Sequence, residues 1–332
     1  MEKSFSVPDE LINSVTDDTN YTDTNKLGEG SYGEVYRIPA SKNSRNARAV
    51  KISNRGTAGT ILRREWKILS KLSHPNIVSV ERNNFFTSPT RLYMVMEYVQ
   101  GRDLLELLRS ETCGESAAVH ITRGILSALV YLHRNGVFHR DLKLENVLIG
   151  ASAISQMHSK TSVKLCDFGL SKNRDSDDFT SWAGSVCYAA PEVFSSQITS
   201  RALADIFSFS VILYSICVNA TPIHDSFFDD RKFLLALPAK LKELRKCKSG
   251  LFSNVLFRKI YRYSNCFDWR KRESARKLLS RKLYHTKLAG FCLPSPPLPP
   301  QNLSRTSSSL DTIDLSASET LTRDPSSDTK IA

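Results

Sequence analysis

The chain has 332 residues, of which 41% are hydrophobic and 24% are charged, a composition that excludes a fibrous or wholly disordered protein. Its formal net charge of +12 leaves nucleic acid, a membrane surface or an acidic protein as candidate partners. The longest apolar run, Ile206–Val218, is interrupted by serines and is too short to span a bilayer, so it predicts a buried helix and no membrane-spanning segment.

The order of the predicted elements indicates the fold class. Residues 1–20 are polar and acidic and predict an N-terminal extension. Short alternating strands predominate in residues 21–98, with one amphipathic helix predicted at 61–72, whereas helical spacing predominates in residues 99–290. This order predicts an α+β fold with a small sheet lobe followed by a larger, mostly helical lobe. Residues 291–332 are rich in Pro and Ser and predict a disordered tail.

The N-terminal sequence and the cysteines bear on the compartment. The first residues contain no apolar stretch of signal-peptide length. Seven cysteines are scattered without a CxxC pair, which argues against a disulfide framework or a structural zinc site. We therefore expect the protein in the cytoplasm, with the nucleus as the alternative.

A glycine-rich segment, Leu27–Val35, contains the pattern GxGxxG. In a dinucleotide-binding unit the last glycine would begin a helix. Here strand-like residues follow it, which favours a β-hairpin whose glycines let backbone N–H groups approach phosphate oxygens. Lys51 lies in the second strand of the hairpin among apolar residues, where a lone ammonium would cost free energy. Glu65 on the predicted helix and a nucleotide phosphate would provide its counter-charges.

Two further motifs follow, VFHRDLKLENVLI at 137–149 and VKLCDFGL at 163–170. With the glycine-rich segment and Lys51 before them, they make residues 21–290 resemble a eukaryotic protein kinase, of the serine/threonine type because of the lysine in HRDLKLEN. The resemblance implies a two-lobed protein kinase fold, with an antiparallel sheet and one helix in the small lobe. It also implies ATP and Mg²⁺ as cofactors and proteins as substrates.

The resemblance assigns catalytic roles to four residues. Asp141 would orient the substrate hydroxyl and accept its proton, and Lys143 would offset the charge on the transferred phosphate. Asn146 and Asp167 would supply the oxygen ligands that Mg²⁺ prefers.

The resemblance also implies a nucleotide pocket between the two lobes. Val35 and Ala49 would cover the adenine from above, Leu148 would cover it from below, and Met96 would limit the depth of the pocket. The full set of implied ATP-binding residues is Leu27, Gly28, Glu29, Gly30, Ser31, Tyr32, Gly33, Glu34, Val35, Ala49, Lys51, Glu65, Met96, Glu97, Val99, Asp103 and Leu148.

In this resemblance, the residues from Asp167 to Glu192 form the activation segment. A phosphate on the segment would be bound by two basic side chains. The last acid of the segment would pair with an arginine much later in the chain. The phosphate acceptors would be Thr180 and Ser181, and the two basic side chains would be those of Arg140 and Lys172. The ion pair would join Glu192 to Arg272.

The segment Gly184–Glu192 is similar to that of the calcium/calmodulin-dependent and AMP-activated kinase group. Kinases of that group commonly favour basic residues before the phosphoacceptor, and Glu145 and Asp103 would supply matching carboxylates. The alternative function is that of a pseudokinase that binds nucleotide as a scaffold without transferring phosphate. The intact Lys51 and Asp141 argue against that alternative.

Three regions depart from the family pattern or lie outside its motifs. The motif that begins at Asp205 keeps its aspartate but lacks the usual tryptophan and glycine. Residues 151–162 lengthen the connection between Asp141 and Asp167 and predict a polar surface loop. The basic region 231–290 has apolar residues at helical spacing, which favours helices with solvated basic faces. A docking surface for an acidic partner is the alternative there, and a nucleic-acid interface is the least favoured.

Overall fold

The computed structural model of the chain describes residues 25–30, 32–40, 46–80, 82–151, 153–158, 161–174, 184–194, 200–218, 255–264, 268–281 and 284. These residues belong to one compact unit, Met1–Pro294, and the second unit, Ser295–Ala332, lies outside them. The predicted N-terminal extension, the predicted disordered tail and most of the basic region 231–290 therefore lie outside the described residues.

Five antiparallel strands form the sheet of the small lobe, in the order β1-β2-β3-β5-β4. The strands are β1 (Lys26–Gly30), β2 (Gly33–Ile38), β3 (Arg48–Asn54), β4 (Phe85–Thr87) and β5 (Arg91–Glu97). Residues of β3 alternate between a face on which Val50 and Ile52 are buried and a face that carries Ala49 and Lys51.

One helix, α1 (Thr57–Leu69), packs against β3 and β5 of this sheet. It buries Leu62, Ile68 and Leu69 on one side, the apolar stripe that the sequence predicts. The helix begins before the predicted start at residue 61. The sequence did not predict its first turn, TAGT, because those residues show no apolar period. It ends at Leu69, and the next residues form turns in which Leu72 N donates to Leu69 O at 2.9 Å.

Helices predominate in the larger lobe, with short strands between them. The elements are β6 (Arg102–Asp103), α2 (Leu104–Ser110), α3 (Glu115–Arg134), β7 (Val137–Phe138), β8 (Val147–Ile149), β9 (Val163–Leu165), β10 (Lys172–Asn173), α4 (Arg201–Val218), α5 (Val255–Ser264) and α6 (Ala275–Leu279). Strands β6, β8 and β9 form one small sheet, and β7 and β10 form another. The predicted α+β order of a sheet lobe followed by a helical lobe is confirmed.

Helix α4 contains the long apolar run and is buried along most of its length. Its serines are accommodated because their hydroxyls bond to carbonyl oxygens, as when Ser215 Oγ donates to Val211 O at 3.1 Å. The prediction of a buried helix at Ile206–Val218 is thus confirmed. In the part of the chain that the structure describes, no helix has the length and apolar character needed to cross a bilayer.

A backbone bridge joins the small lobe to the larger one behind the cleft. Residue Ile77, which follows α1, pairs in parallel with Leu165 of β9. Val78 N donates to Leu165 O and Leu165 N donates to Asn76 O, each at 2.9 Å. The Asn76 side chain adds a third bond, to Val163 O at 2.8 Å. We call these contacts the interlobe bridge.

The insertion at 151–162 is anchored, which differs from the predicted polar surface loop. Ile154 and Met157 are buried in the core of the larger lobe. Glu111 accepts a hydrogen bond from Ile154 N at 2.9 Å, and His120 Nε2 lies 2.8 Å from Thr161 O. The two apolar side chains are isolated in a polar stretch, so the sequence carries no periodic signal for their burial.

Candidate active site

Three elements bring one buried ammonium and two carboxylates together. Lys51 on β3 lies 2.7 Å from Glu65 Oε2 on α1 and 2.8 Å from Asp167 Oδ1, which follows β9. Lys51 is 7% exposed and Glu65 is 1% exposed. The structure therefore brings together the lysine, the helix glutamate and the later aspartate that the sequence predicts as site residues.

Burial and charge act in opposite directions on these groups. Burial by itself would lower the pKa of Lys51, but the carboxylates of Glu65 and Asp167 outweigh it and hold that pKa above the usual value. Burial raises the pKa of Glu65. Burial also opposes ionisation of Asp167, yet the ammonium of Lys51 keeps the pKa of Asp167 below its usual value. Lys51 is thus held as a cation in the cleft.

Two consecutive residues of α1 hold two consecutive residues of the activation segment. Glu65 Oε1 accepts a hydrogen bond from Phe168 N at 2.9 Å. Arg64 Nη2 donates to the carbonyl oxygen of Gly169 at 2.7 Å. We call this pair of contacts the helix clamp, and it fixes the backbone next to Asp167 relative to α1.

The loop after β7 gathers the predicted catalytic groups around Asp141. Lys143 Nζ lies 3.0 Å from Asp141 Oδ2, and Asn146 Nδ2 donates to Asp141 O at 2.8 Å. Ser185 donates to Asp141 Oδ1 through its backbone N–H at 2.9 Å and its hydroxyl at 3.1 Å. The carboxylate of Asp141 raises the pKa of Lys143 against the effect of burial, which by itself would lower that pKa.

Asp205 of α4 holds this loop from below. Its carboxylate accepts hydrogen bonds from His139 N at 3.1 Å and from Arg140 N at 2.9 Å, and His133 Nε2 lies 2.8 Å from Oδ2. Burial would raise the pKa of Asp205, but the contacts with His133 and the loop lower it. Arg140 has a φ of 68° and Asp167 has a φ of 58°. Both residues therefore have the left-handed backbone conformation, which residues other than glycine rarely adopt.

The glycine-rich hairpin covers the cleft from the small lobe. Gly28 has open space on the side where a β-carbon would lie, which leaves the backbone accessible. Gly33 has a φ of 148°, and a β-carbon there would collide with the carbonyl oxygen of Ile52, so only glycine fits the turn. Both predicted acids of this segment, Glu29 and Glu34, pair with Lys26 at 2.7 Å. Ser31 lies outside the described residues.

The predicted adenine-binding residues surround the connection between the lobes. Ala49 is paired with Met96 across β3 and β5, and Leu148 lies on β8 in the facing lobe. The backbone N–H of Glu97 already donates to Ser79 O at 3.0 Å. Of the two backbone groups of Glu97, only the carbonyl oxygen is therefore left to bind a nucleotide.

Asp103, predicted at the ribose, caps a helix. Its Oδ1 accepts a hydrogen bond from Glu106 N at 2.8 Å at the start of α2. Burial raises the pKa of Asp103. Strand pairing places Asp103 opposite Leu148, next to the predicted adenine site.

Asn146 and Asp167 have the donor atoms that a magnesium ion requires. Because Asn146 Nδ2 donates to Asp141 O, its amide oxygen is available to a ligand. Asp167 uses Oδ1 for Lys51 and for Gly169 N, and within the described ranges Oδ2 accepts no hydrogen bond. Cys166 N donates to Asn146 O at 3.1 Å, so the two residues lie on adjacent backbone segments. One carboxylate and one amide oxygen fit Mg²⁺.

The end of the activation segment is tied to the larger lobe. Glu192 forms a two-point ion pair with Arg272, in which Nη2 donates to Oε2 at 2.6 Å. Gly184 approaches the catalytic loop so closely that a β-carbon would lie 2.8 Å from Arg140 O. Lys172 is buried on β10, which pairs with β7 just before Arg140. The predicted acceptors Thr180 and Ser181 lie outside the described residues.

Two residues at the site were not singled out by the sequence. Ser185 contacts both Asp141 and, at 3.3 Å, Lys143 Nζ. Its position directly after Gly184 in the motif was the available signal. Arg64 has no such signal, because its partner is a backbone carbonyl more than a hundred residues away.

The comparisons with known proteins agree with this geometry. The model of the protein kinase domain matches residues 21–283. The chain belongs to the protein kinase family. Serine/threonine protein kinase OSK3 of Oryza sativa subsp. indica is 32% identical to this kinase domain over 290 residues, which cover 84% of the chain and 53% of that protein.

Other relatives are similar over shorter stretches. The carbon catabolite-derepressing protein kinase of Secale cereale is 37% identical over 209 residues, covering 60% of the chain and 39% of that protein. Serine/threonine-protein kinase RAD53 of Saccharomyces cerevisiae is 30% identical over 243 residues, covering 68% of the chain and 27% of that protein. The chain spans about half the length of the first of these relatives, OSK3. The predicted resemblance to a serine/threonine kinase is confirmed at the level of the family.

Proposed function

We propose that the protein is a serine/threonine protein kinase, which transfers the γ-phosphate of ATP to a protein hydroxyl. The observation that carries the proposal is the buried ion pair between Lys51 and Glu65, extended to Asp167 at 2.8 Å. A charged lysine in an apolar strand is held in place by two carboxylates and faces the cleft that contains Asp141. This is the arrangement that phosphoryl transfer requires, because positioning and charge neutralisation provide most of its catalysis.

In the proposed reaction each group has a separate task. Lys51 holds the α- and β-phosphates of ATP in place. Asp141 orients the acceptor hydroxyl and takes its proton as the oxygen attacks the γ-phosphorus. Lys143 offsets the negative charge on the transferred phosphate. Mg²⁺, held by Asn146 and Asp167, would supply further charge neutralisation at the phosphates.

The alternative function, a nucleotide-binding pseudokinase, predicts a different result for one substitution. Asp141→Asn should lower phosphotransfer from radiolabelled ATP to a protein substrate by about a thousandfold while ATP binding persists. Asp268→Asn is the matched control, since Asp268 lies away from the site and pairs with Arg270 and Lys271. Equal incorporation by the wild type and Asp141→Asn would favour the pseudokinase.

We also propose that the enzyme favours basic residues before the phosphoacceptor. Glu145 supports this, because it is exposed in the turn that contains Asn146 at the catalytic loop. Asp103 contributes less, since its carboxylate caps α2. On a positional peptide array, Glu145→Gln should reduce the preference for arginine several-fold relative to wild type. An unchanged array profile would contradict the assignment of Glu145.

Phosphorylation of Ser181 or Thr180 is proposed to raise activity. Arg140 and Lys172 support the proposal because two basic side chains from adjacent segments provide charge for a phosphate. Replacing both acceptors by alanine should abolish the stimulation produced by an activating kinase. Equal stimulation of wild type and double variant would contradict it.

A further inference from the structure

A cavity of about 640 Å³ lies beside the connection between the lobes. It is formed by the end of β2, the start of β3, the residue before β4 and the end of β5. Of the residues predicted to bind nucleotide, only Met96 and Glu97 line it. Its size is in the range of small-molecule sites. The lining residues are Arg37, Asn46, Ala47, Arg48, Ser79, Asn84, Met96, Glu97, Tyr98 and Gln100.

Two arginines give the cavity a positive lining. Arg37 places its guanidinium 5.3 Å from the centre of the Tyr98 ring, which supports the group from one side. Arg48 is paired with Ile38 and therefore lies beside Arg37 on the neighbouring strand. Arg48 belongs to the sheet face opposite Ala49 and Lys51, because successive residues alternate. Arg37 is paired with Ala49 and therefore lies on the face of Ala49 and Lys51, so the two arginines reach the cavity from opposite faces of the sheet. Lys51 itself does not line the cavity.

The acid of the cavity does not neutralise these arginines. Glu97 is engaged elsewhere, since its carboxylate accepts hydrogen bonds from Ser79 N at 3.1 Å and Ser79 Oγ at 3.2 Å. It also pairs with Lys164 at 2.9 Å. Among the residues that the structure describes, neither Arg37 nor Arg48 forms an ion pair or a side-chain hydrogen bond.

Arg48 carries the most direct sign of a missing partner. Its Nε is shielded from solvent and, within the described part of the chain, has no hydrogen-bond acceptor. A buried donor left unpaired is unfavourable, and such a group in a native protein calls for an explanation. Because Nε has no surface open to the cavity, an oxyanion there would bind the Nη donors of the fork and would reach Nε only after a shift of the side chain.

We propose that this cavity binds a small molecule through a phosphate group, at a site separate from the active site. Guanidinium groups match phosphate because their planar donors form paired, charge-assisted hydrogen bonds. The carboxamides of Asn84 and Gln100 in the lining add neutral donors for the remaining oxygens. The proposal concerns a second ligand, so it does not depend on the protein being an active kinase.

The test is calorimetric titration of the full chain with inorganic pyrophosphate, without Mg²⁺ and at constant ionic strength. Arg37→Gln/Arg48→Gln should weaken binding about a hundredfold or more, because the loss of each charged donor should weaken it roughly tenfold. Arg37→Lys/Arg48→Lys keeps the charge but lacks the planar guanidinium donors, so its affinity for pyrophosphate should lie between those of the wild type and of Arg37→Gln/Arg48→Gln. Circular dichroism melting of each variant confirms that it is folded.

Two further variants distinguish binding in this cavity from a general charge effect and from binding at the active site. Arg55→Gln/Arg63→Gln removes the same charge from the same lobe outside the cavity and should bind pyrophosphate as the wild type does. Lys51→Met weakens phosphate binding at the active site but should leave the cavity's affinity unchanged. Wild-type binding by Arg37→Gln/Arg48→Gln overturns the proposal. Complete loss of binding in Lys51→Met also overturns it, because the probe would then occupy the active site alone.

Discussion

Lys51 and Glu65 are buried charges, and each lowers the electrostatic cost of the other. Lys51→Met would leave Glu65 beside Asp167 without the cation that separates them, since both lie within 2.8 Å of the ammonium. We expect that substitution to lower the free energy of unfolding by about 3 kcal/mol. Adding Glu65→Gln should recover part of the loss, because the amide has no charge to bury, while phosphotransfer stays absent.

Urea unfolding measures these stabilities, and a coupled assay measures phosphotransfer. Lys71→Met is the matched control, because Lys71 is exposed after the end of α1, and its stability should stay within about 0.5 kcal/mol of wild type. If the double variant were less stable than Lys51→Met, the coupling between the two charges would be refuted.

Asp205 gives the protein a defined acid sensitivity. Its folded pKa is lowered, so its stabilising contribution is complete above the ordinary aspartate pKa of about 4 and is lost as the pH falls further. The stability difference between wild type and Asp205→Asn should therefore be largest above pH 5 and should shrink towards pH 3.5. Urea titrations at several pH values measure it.

Asp103 is expected to affect the pH dependence of stability in the opposite direction to Asp205. Burial raises its folded pKa, so its ionised form is the less favoured one, and Asp103→Asn should become relatively more stable as the pH rises. Parallel pH trends for the two variants would contradict the electrostatic account of both carboxylates.

At the scale of elements, the helix clamp couples α1 to the activation segment. Arg64→Met removes the bond to the Gly169 carbonyl while the Glu65 bond to Phe168 N remains. We expect kcat to fall roughly tenfold, equivalent to about 1.4 kcal/mol, with the unfolding free energy changed by less than about 1 kcal/mol.

The kinetic pattern distinguishes this positioning role from a purely structural one. Arg64→Lys keeps a donor on the same helix and should recover part of kcat. Lys67→Met, on the exposed side of α1, should leave both kcat and stability unchanged. A loss of stability without any change in kcat would contradict the positioning role.

The elements also show what a sequence can and cannot predict. Lys51 can be recognised in the sequence because a charge inside an apolar strand needs a partner. Asp141 and Asp167 can be recognised because the later motifs that contain them occur in the order typical of the family. The helix clamp and the buried residues of the insertion, such as Ile154, depend on contacts between distant segments. No local period encodes those contacts, so only the folded chain shows them.

For the molecule as a whole, the pair of Glu192 and Arg272 joins the activation segment to the end of the larger lobe. The Arg272 side chain is fully buried, donates to Leu203 O at 3.1 Å and stacks over Phe207. Arg272→Met should lower the free energy of unfolding by about 4 kcal/mol, because it removes the two-point ion pair of a buried carboxylate.

The control for this prediction is an exposed pair in the same region. Lys277 lies 3.4 Å from Glu273 but is largely solvent-exposed, so Lys277→Met should change stability by less than about 0.5 kcal/mol. Thermal and urea unfolding of both variants provide the comparison. Equal losses for the two would mean that burial does not set the strength of the Glu192 pair.

The interlobe bridge has a mechanical consequence. Three hydrogen bonds hold residues 76–78 against Val163 and Leu165, and they join the lobes far along the chain from the residues that follow β5. Rigid-body rotation that preserves these bonds must turn about an axis near Leu165. Admission of a nucleotide and release of its product would then use the same hinge.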